Sequence, residues 1–210
     1  MHDVVVRLAA SLPEARTVVL AGGGAMLAHE LVERITRDVD LFTDRDAEEA
    51  VAVATALRSA LRSRGWDVEA AVRLPHENRF VAVEPESGRR VQIEVFADGG
   101  RLRPPVRLAV GPVLHRDDLA ADKVLAMWDR GEPRDYIDVT ALLGVYGARE
   151  LFALAAAKDA GLTADLLVDS LRRVHRFQTQ DWTDAGFDAA LARRAATAID
   201  RWRRELTRHA

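Results

Sequence analysis

Three acids and three glycines mark the stretch of the chain equipped for chemistry. Asp38 and Asp40 stand two residues apart in RDVDLFT. Side chains i and i+2 of a strand leave the same face, so a strand through Val39, Leu41 and Phe42 projects both carboxylates together, as half of a magnesium site requires. Upstream, Gly22, Gly23 and Gly24 follow the apolar run from Thr17 to Ala21 and precede an amphipathic segment. Glycine lets the backbone turn sharply and approach a ligand closely, and a helix opening after it offers N–H groups to a phosphate. In the strand predicted over 89–96, Val91, Ile93 and Val95 take one face while Gln92, Glu94 and Phe96 take the other, which makes Glu94 the natural third carboxylate. A second D-x-D pair, Asp44 and Asp46, reads as structural, with Asp46 placed as the N-cap of the helical run that follows.

Downstream, residues seven apart on a helix return to nearly the same face, so a helix over 116–130 carries Arg116, Lys123 and Arg130 as one basic stripe. Lys123 lies mid-helix between Ala121 and Val124, where a point charge could neutralise a triphosphate. The next helix opens with Pro133 and sets Asp135 and Asp138 on one side. Asp135 reads as an anchor for Arg130 or Arg134, and Asp138 as a residue lining the site. The six histidines (2, 29, 76, 115, 175 and 209) show no H-x-x-x-H or H-x-E grouping, which argues against a zinc enzyme. No G-x-S-x-G elbow and no complete G-x-x-x-x-G-K-[ST] loop is present, which removes serine hydrolase and P-loop readings.

GGGAMLAHELVERITRDVDLFT, followed far downstream by DLAADKVLAMWDRGEPRDYIDVTALL, resembles the AbiEii-type nucleotidyltransferases, the toxin class of type IV toxin–antitoxin systems, within the DNA polymerase β-like superfamily. The likeness spans roughly Val18 to Tyr146. It implies metal-dependent transfer of a nucleoside monophosphate from an NTP to an acceptor, in several members the 3′ end of tRNA, with a cognate antitoxin as protein partner. Two Mg²⁺ ions would be held by Asp38, Asp40 and Glu94, and the triphosphate by Gly22, Gly23, Gly24 and Lys123, since two-metal phosphoryl transfer activates the attacking oxygen and stabilises the leaving one. A D-K-x-x-A pattern assigns the phosphate role to Lys123, and the resemblance also places Asp138 at the site. Two positions depart from the family: Gly24 stands where Ser or Thr is usual, and Glu94 where the superfamily more often has Asp. A small-molecule or protein acceptor, or a catalytically degenerate partner-binding module, are the alternative readings.

The elements that must position these residues follow from periodicity. Helices are predicted over 3–11 and 46–64, strands over 66–74, 78–83 and 89–96, and a turn at Glu84-Pro85-Glu86-Ser87-Gly88. Residues 97–113 read as a Gly- and Pro-rich crossing, so the domains divide as 1–100 and 101–210. Beyond it the pattern is helical over 116–130, 134–145, 148–158, 163–175 and 185–208, giving an α/β mixed sheet followed by a helical bundle. At 210 residues the chain can bury a sizeable core. No apolar run reaches the ~18 residues of a membrane span, the first residues lack a signal peptide's pattern, and the absence of cysteine suits a cytoplasmic protein. Net charge is −3, yet residues 172–210 hold nine Arg against five acids, the end a nucleic-acid acceptor is expected to use.

Overall fold

The computed structural model describes residues 2–33, 36, 38–74, 77–98 and 100–208. His76 and His209 of the histidine set, and part of the segment after the glycines, lie outside the described residues. Two compact units divide at 119/120. The first contains α1 (His2–Ala10), β1 (Val19–Leu20), α2 (Gly22–Ala28), β2 (Asp38–Thr43), α3 (Ala47–Arg62), β3 (Asp67–Leu74), β4 (Glu77–Val83), β5 (Arg90–Ala97), β6 (Val106–Leu108) and β7 (Gly111–Val113). These strands form one mixed sheet in the order β3-β4-β5-β2-β1-β7-β6. The pairs β2/β5 and β1/β7 are parallel and the other neighbours antiparallel.

Helix α3 organises this unit. Ala50, Val53, Ala54, Leu57 and Leu61 recur at helical spacing and are all buried, and the helix packs on β2, β3, β4 and β5. Strand residues Val39, Leu41, Phe80, Val91, Ile93 and Val95 are buried with them, and a fully buried side chain of this size contributes about 1.5–3 kcal/mol. Asp46 caps α3 by accepting from the Glu49 N–H at 3.0 Å, as its sequence position predicts. The expected turn between β4 and β5 closes with the Glu84 N–H on Arg89 O and Gly88 at φ 65°, which pins the register of the hairpin.

Residues 101–119 group with the sheet rather than with the helices, whereas the sequence reading sets the division after residue 100. The crossing is not irregular throughout: β6 and β7 form a small hairpin that extends the sheet, with Leu20 opposite Val113. Arg101 donates to the carbonyls of Thr17 and Phe42. Asp118, fully buried in α4 (Arg116–Asp129), accepts from the backbone N–H groups of Leu102 and Arg103 at 2.7 and 2.9 Å.

The second unit holds the rest of α4 with α5 (Pro133–Leu142), α6 (Ala148–Lys158), α7 (Ala164–Leu171), α8 (Thr179–Asp184) and α9 (Ala189–Thr207). Helix α9 packs on α5, α6, α7 and α8, burying Ala195, Ile199, Trp202 and Leu206. It starts at 189, because Gly186 adopts φ 87° and Asp188 then caps the helix through the Leu191 N–H at 2.7 Å. Phe187 therefore precedes the helix it was expected to join. The helix predicted over 163–175 tightens into a 3₁₀ turn at Arg172–Arg176. Arg173 and Arg176 donate to carbonyls between Met127 and Gly131, closing the C-terminal end of α4 where the helix dipole favours cations. No helix among the described residues is long and apolar enough to cross a membrane.

Candidate active site

The site is built on the face of β2 turned away from α3. Asp38, Asp40 and Phe42 are half-buried there, while Val39, Leu41 and Thr43 are buried on the α3 side, so the alternation read from sequence holds. Parallel pairing sets Asp38 beside Gln92, Asp40 beside Glu94 and Phe42 beside Phe96. The two phenylalanines meet edge to face with ring centroids 5.4 Å apart, closing the end of this row.

The glycine turn and the acid pair touch. Ala21 donates its N–H to Asp40 O at 2.9 Å, and Gly22 follows at φ 55°. A Cβ on Gly22 would fall 1.6 Å from Asp40 Oδ2 and 2.5 Å from Asp40 Cγ, so the carboxylate occupies the space a side chain would need. The glycines form the first turn of α2 rather than a loop ahead of it. Gly24 also has a local cause: its Cβ would come within 2.9 Å of Leu20 Cδ1, and Leu20 is buried. The amphipathic segment stops after Ala28, with Glu30 in the left-handed region at φ 57° and the Leu31 N–H returning to Met26 O. His29 Nε2 lies 2.8 Å from Leu114 O, a structural bond rather than a ligand position.

Glu94 is adjacent to Asp40 in register, but its carboxylate is engaged elsewhere. Arg79 Nε lies 2.7 Å from Oε1 and Arg79 Nη2 donates to Oε2 at 3.3 Å, while Gln92 Nε2 also donates to Oε1. Among the described residues no three His, Cys, Asp or Glu side chains are gathered to hold a metal ion. Asp38 and Asp40 still fit one, because Mg²⁺ is commonly bound by one or two carboxylates and completed by substrate phosphates. Arg79 escaped the sequence reading. The signal was there in the hairpin register, which sets Arg79 directly opposite Glu94.

In the helical unit, Lys123 Nζ lies 2.9 Å from Asp138 Oδ2, with side chains 12% and 0% exposed. The basic stripe therefore does not form as one surface: Arg116 and Arg130 are exposed, but Lys123 is turned into a buried ion pair. Asp135 anchors Arg130, which donates through Nε and Nη2 at 3.0 and 2.9 Å, and it also accepts from the Glu132 N–H in the first turn of α5. Asp122 holds Lys158 of α6 at 2.6 Å. Tyr136 is fully buried on α5, and burial raises its pKa above the ordinary phenol value, partly opposed by Arg173 and Arg176.

This sheet, with a glycine turn seated on an acid pair, is a nucleotidyltransferase fold. Solved structures that share it include JHP933 from Helicobacter pylori, at 16% identity and TM-score 0.60 over 97% of this chain and 89% of that one. MenT4, a nucleotidyltransferase toxin from Mycobacterium tuberculosis H37Rv, is 17% identical with TM-score 0.64, covering 99% of this chain and 90% of its own. No curated protein sequence matches. The model of the nucleotidyl transferase AbiEii toxin family, type IV TA system, matches residues 4–208, and the chain belongs to that family.

Proposed function

We propose that this nucleotidyltransferase toxin moves a nucleoside monophosphate from an NTP to the 3′ end of an RNA, with tRNA the foremost candidate, using Mg²⁺ held by Asp38 and Asp40, and that a cognate antitoxin restrains it. The observation that carries the reading is the seating of the Asp40 carboxylate against Gly22, which joins the metal-binding acids to the turn whose backbone can approach phosphates. Mg²⁺ bound there would lower the pKa of the acceptor hydroxyl and polarise the α-phosphate. The hydroxyl gives its proton to solvent, and its oxygen bonds to the α-phosphorus as the bond to the α–β bridging oxygen breaks and pyrophosphate leaves. Gly22, Gly23 and Gly24 supply backbone donors to the triphosphate, and Lys123, held by Asp138, has the phosphate-neutralising role that the family pattern implies.

RNA is favoured as acceptor by a groove of about 790 Å³ in the helical unit. Arg193, Arg194 and Arg201 of α9 line it with one acid, Glu205, and with the rings of Tyr146 and Trp202. The test is incubation of the purified protein with each labelled NTP, Mg²⁺ and total RNA. Label is expected on RNA and is expected to vanish in Asp40→Ala with the fold retained. Full transfer by Asp40→Ala would overturn the metal assignment, and label appearing on protein or on an added aminoglycoside would overturn the RNA acceptor. A protein whose melting temperature is unmoved by Mg²⁺ with all four NTPs is a partner-binding module instead.

A further inference from the structure

We infer that Phe42 and Phe96 are the seat of the acceptor's terminal base: the nucleotide that carries the attacking hydroxyl stacks its base in the corner between the two rings, on the β5 flank of the acid pair. The seat rests on the nucleotidyl-transfer reading and deepens it, since a stacked base makes the end of an RNA strand the acceptor rather than a sugar or a protein side chain. Strand order fixes the side first. Strand β2 lies between β1 and β5, and the glycine turn that leaves β1 is seated on the Asp40 carboxylate. A triphosphate held by that turn lies toward β1, so pyrophosphate departs on that flank. In phosphoryl transfer the attacking and leaving oxygens stand roughly in line across the phosphorus. The attacking hydroxyl therefore comes from the opposite flank, over β5.

The face of β5 decides what the acceptor meets there. Register pairs Asp38 with Gln92, Asp40 with Glu94 and Phe42 with Phe96, and these rows share one face because alternate residues of a strand do. With strands ~4.8 Å apart and a rise of about 3.3 Å per residue, the Phe96 backbone lies roughly 8 Å from that of Asp40 on the diagonal. A ribose whose hydroxyl stands at the acids spans such a gap, with its base on the far side of the sugar ring. Toward the other end of the face, Asp38 and Gln92 offer a carboxylate and an amide, whereas the phenylalanine row offers apolar surface. Both phenylalanines are half-buried, so each ring keeps part of its surface accessible. Their centroids are 5.4 Å apart and their planes cross at 76°. Two rings near a right angle make a corner, and a flat base set into it stacks on one ring and meets the other edge-on, both arrangements that aromatic quadrupoles favour. Every base has a π-face, so the seat holds the terminal nucleotide without reading its identity. The backbone beneath is fixed: Arg101 donates to Phe42 O at 3.2 Å, and the Asp98 N–H donates to Thr43 O at 2.7 Å. A seat built in advance binds its guest without a further ordering cost.

A short single-stranded RNA tests the seat by binding as well as by transfer. Its affinity would be measured by fluorescence anisotropy with Mg²⁺ and an NTP analogue that cannot be cleaved, once with an ordinary 3′-terminal nucleotide and once with an abasic one. The proteins compared are the wild type, Phe96→Ala, Phe96→Leu and Phe42→Leu. The wild type is expected to bind the abasic RNA roughly tenfold more weakly, the scale of one base–aromatic stack. Each variant should bind the intact RNA close to that weaker level, lose little more with the abasic RNA, and bind NTP alone with wild-type affinity. A fluorescent purine analogue at the 3′ end should be quenched by the wild type and not by Phe96→Leu. Leucine keeps the apolar volume and removes only the flat ring, so this variant reports the stack should Phe96→Ala unfold. Equal wild-type affinity for intact and abasic RNA would overturn the inference. So would weakened binding of NTP alone in the leucine variants, which would give the corner to the base of the NTP. Labelled NTP in place of the analogue separates the seat from the transfer reading. Abasic discrimination with no label on RNA would uphold the stack and overturn transfer to RNA, whereas label on RNA without discrimination would uphold transfer and overturn the seat.

Discussion

One methyl group at residue 22 is enough to displace the Asp40 carboxylate. Gly22 sits at φ 55°, and its added Cβ would overlap Asp40 Oδ2. Gly22→Ala is expected to lose about 1 kcal/mol or more from the left-handed backbone alone, read by thermal unfolding. Transfer should fall further, by roughly 10²-fold, because the carboxylate must move by about an ångström. Lys123 calls for a paired substitution. Removing it alone takes the ion-pair partner from a buried carboxylate at Asp138, at a cost of up to about 3–5 kcal/mol, so loss of activity would be ambiguous. Lys123→Met combined with Asp138→Asn removes both charges together. This variant should stay folded and bind NTP roughly tenfold more weakly, and unchanged affinity in a titration would make the pair purely structural. Tyr136 gives a pH signature. Its folded pKa is raised by burial, so above the unfolded value of about 10 the folded chain retains a proton that the unfolded chain has released. Stability should therefore decline as pH climbs beyond about 10, and Tyr136→Phe should flatten that part of a urea-unfolding series against pH.

Elements declare themselves in sequence where the signal is local, and fail to where it depends on a distant partner. Helix α3 was legible from Asp46 to its final turn because cap, apolar period and terminating glycine are contiguous, and β3, β4 and β5 lie within a residue of their predicted limits for the same reason. The acid pair and Glu94 were correctly placed on one face by alternation alone. Alternation cannot say which neighbour a carboxylate turns toward, so the Arg79 pairing was hidden until the register of β4 was known. Strands β6 and β7 have only three residues each, two of them in a Gly-Pro context, and exist through pairing with each other and with β1. Helix α8 is short and polar, and its start is set by the Gln178 N–H donating to Asp181 across its first turn. Arg101 and the β1/β7 pairing draw 101–119 into the sheet unit, while Asp118 closes that segment on itself, and its removal is the test at this scale. Asp118→Ala leaves two backbone N–H groups without their acceptor, each worth about 1–3 kcal/mol if it stays buried. Denaturant unfolding should show that loss, with hydrogen exchange accelerated first at Leu102 and Arg103 and the α5–α9 helices little changed.

At the scale of the whole molecule, a net charge of −3 means that an RNA acceptor, as proposed, would have to be recognised by a local field rather than by overall attraction. The excess of arginine after residue 171 overstates what is available. Arg173 and Arg176 are taken up in closing the end of α4, and Arg201 shares its charge with Glu205 at 3.0 Å. Arg193 and Arg194 stand exposed along the α9 groove beside Arg201, and together they set three cations against one lining acid, Glu205. If RNA binds there, each phosphate neutralised releases counterions, and log K falls against log salt with a slope of about −0.7 per contact for single strands and about −0.9 for duplex. Replacing Arg193, Arg194 and Arg201 with Gln should therefore flatten the salt dependence of RNA binding by roughly two units of slope. NTP affinity should be unaltered, since the substitutions leave the glycine turn and the acids of β2 as they are. Fluorescence anisotropy with a labelled RNA across a salt series measures the slope directly. An unchanged slope in the triple variant would remove the groove from the acceptor's path, and with it the structural support for RNA over a smaller acceptor.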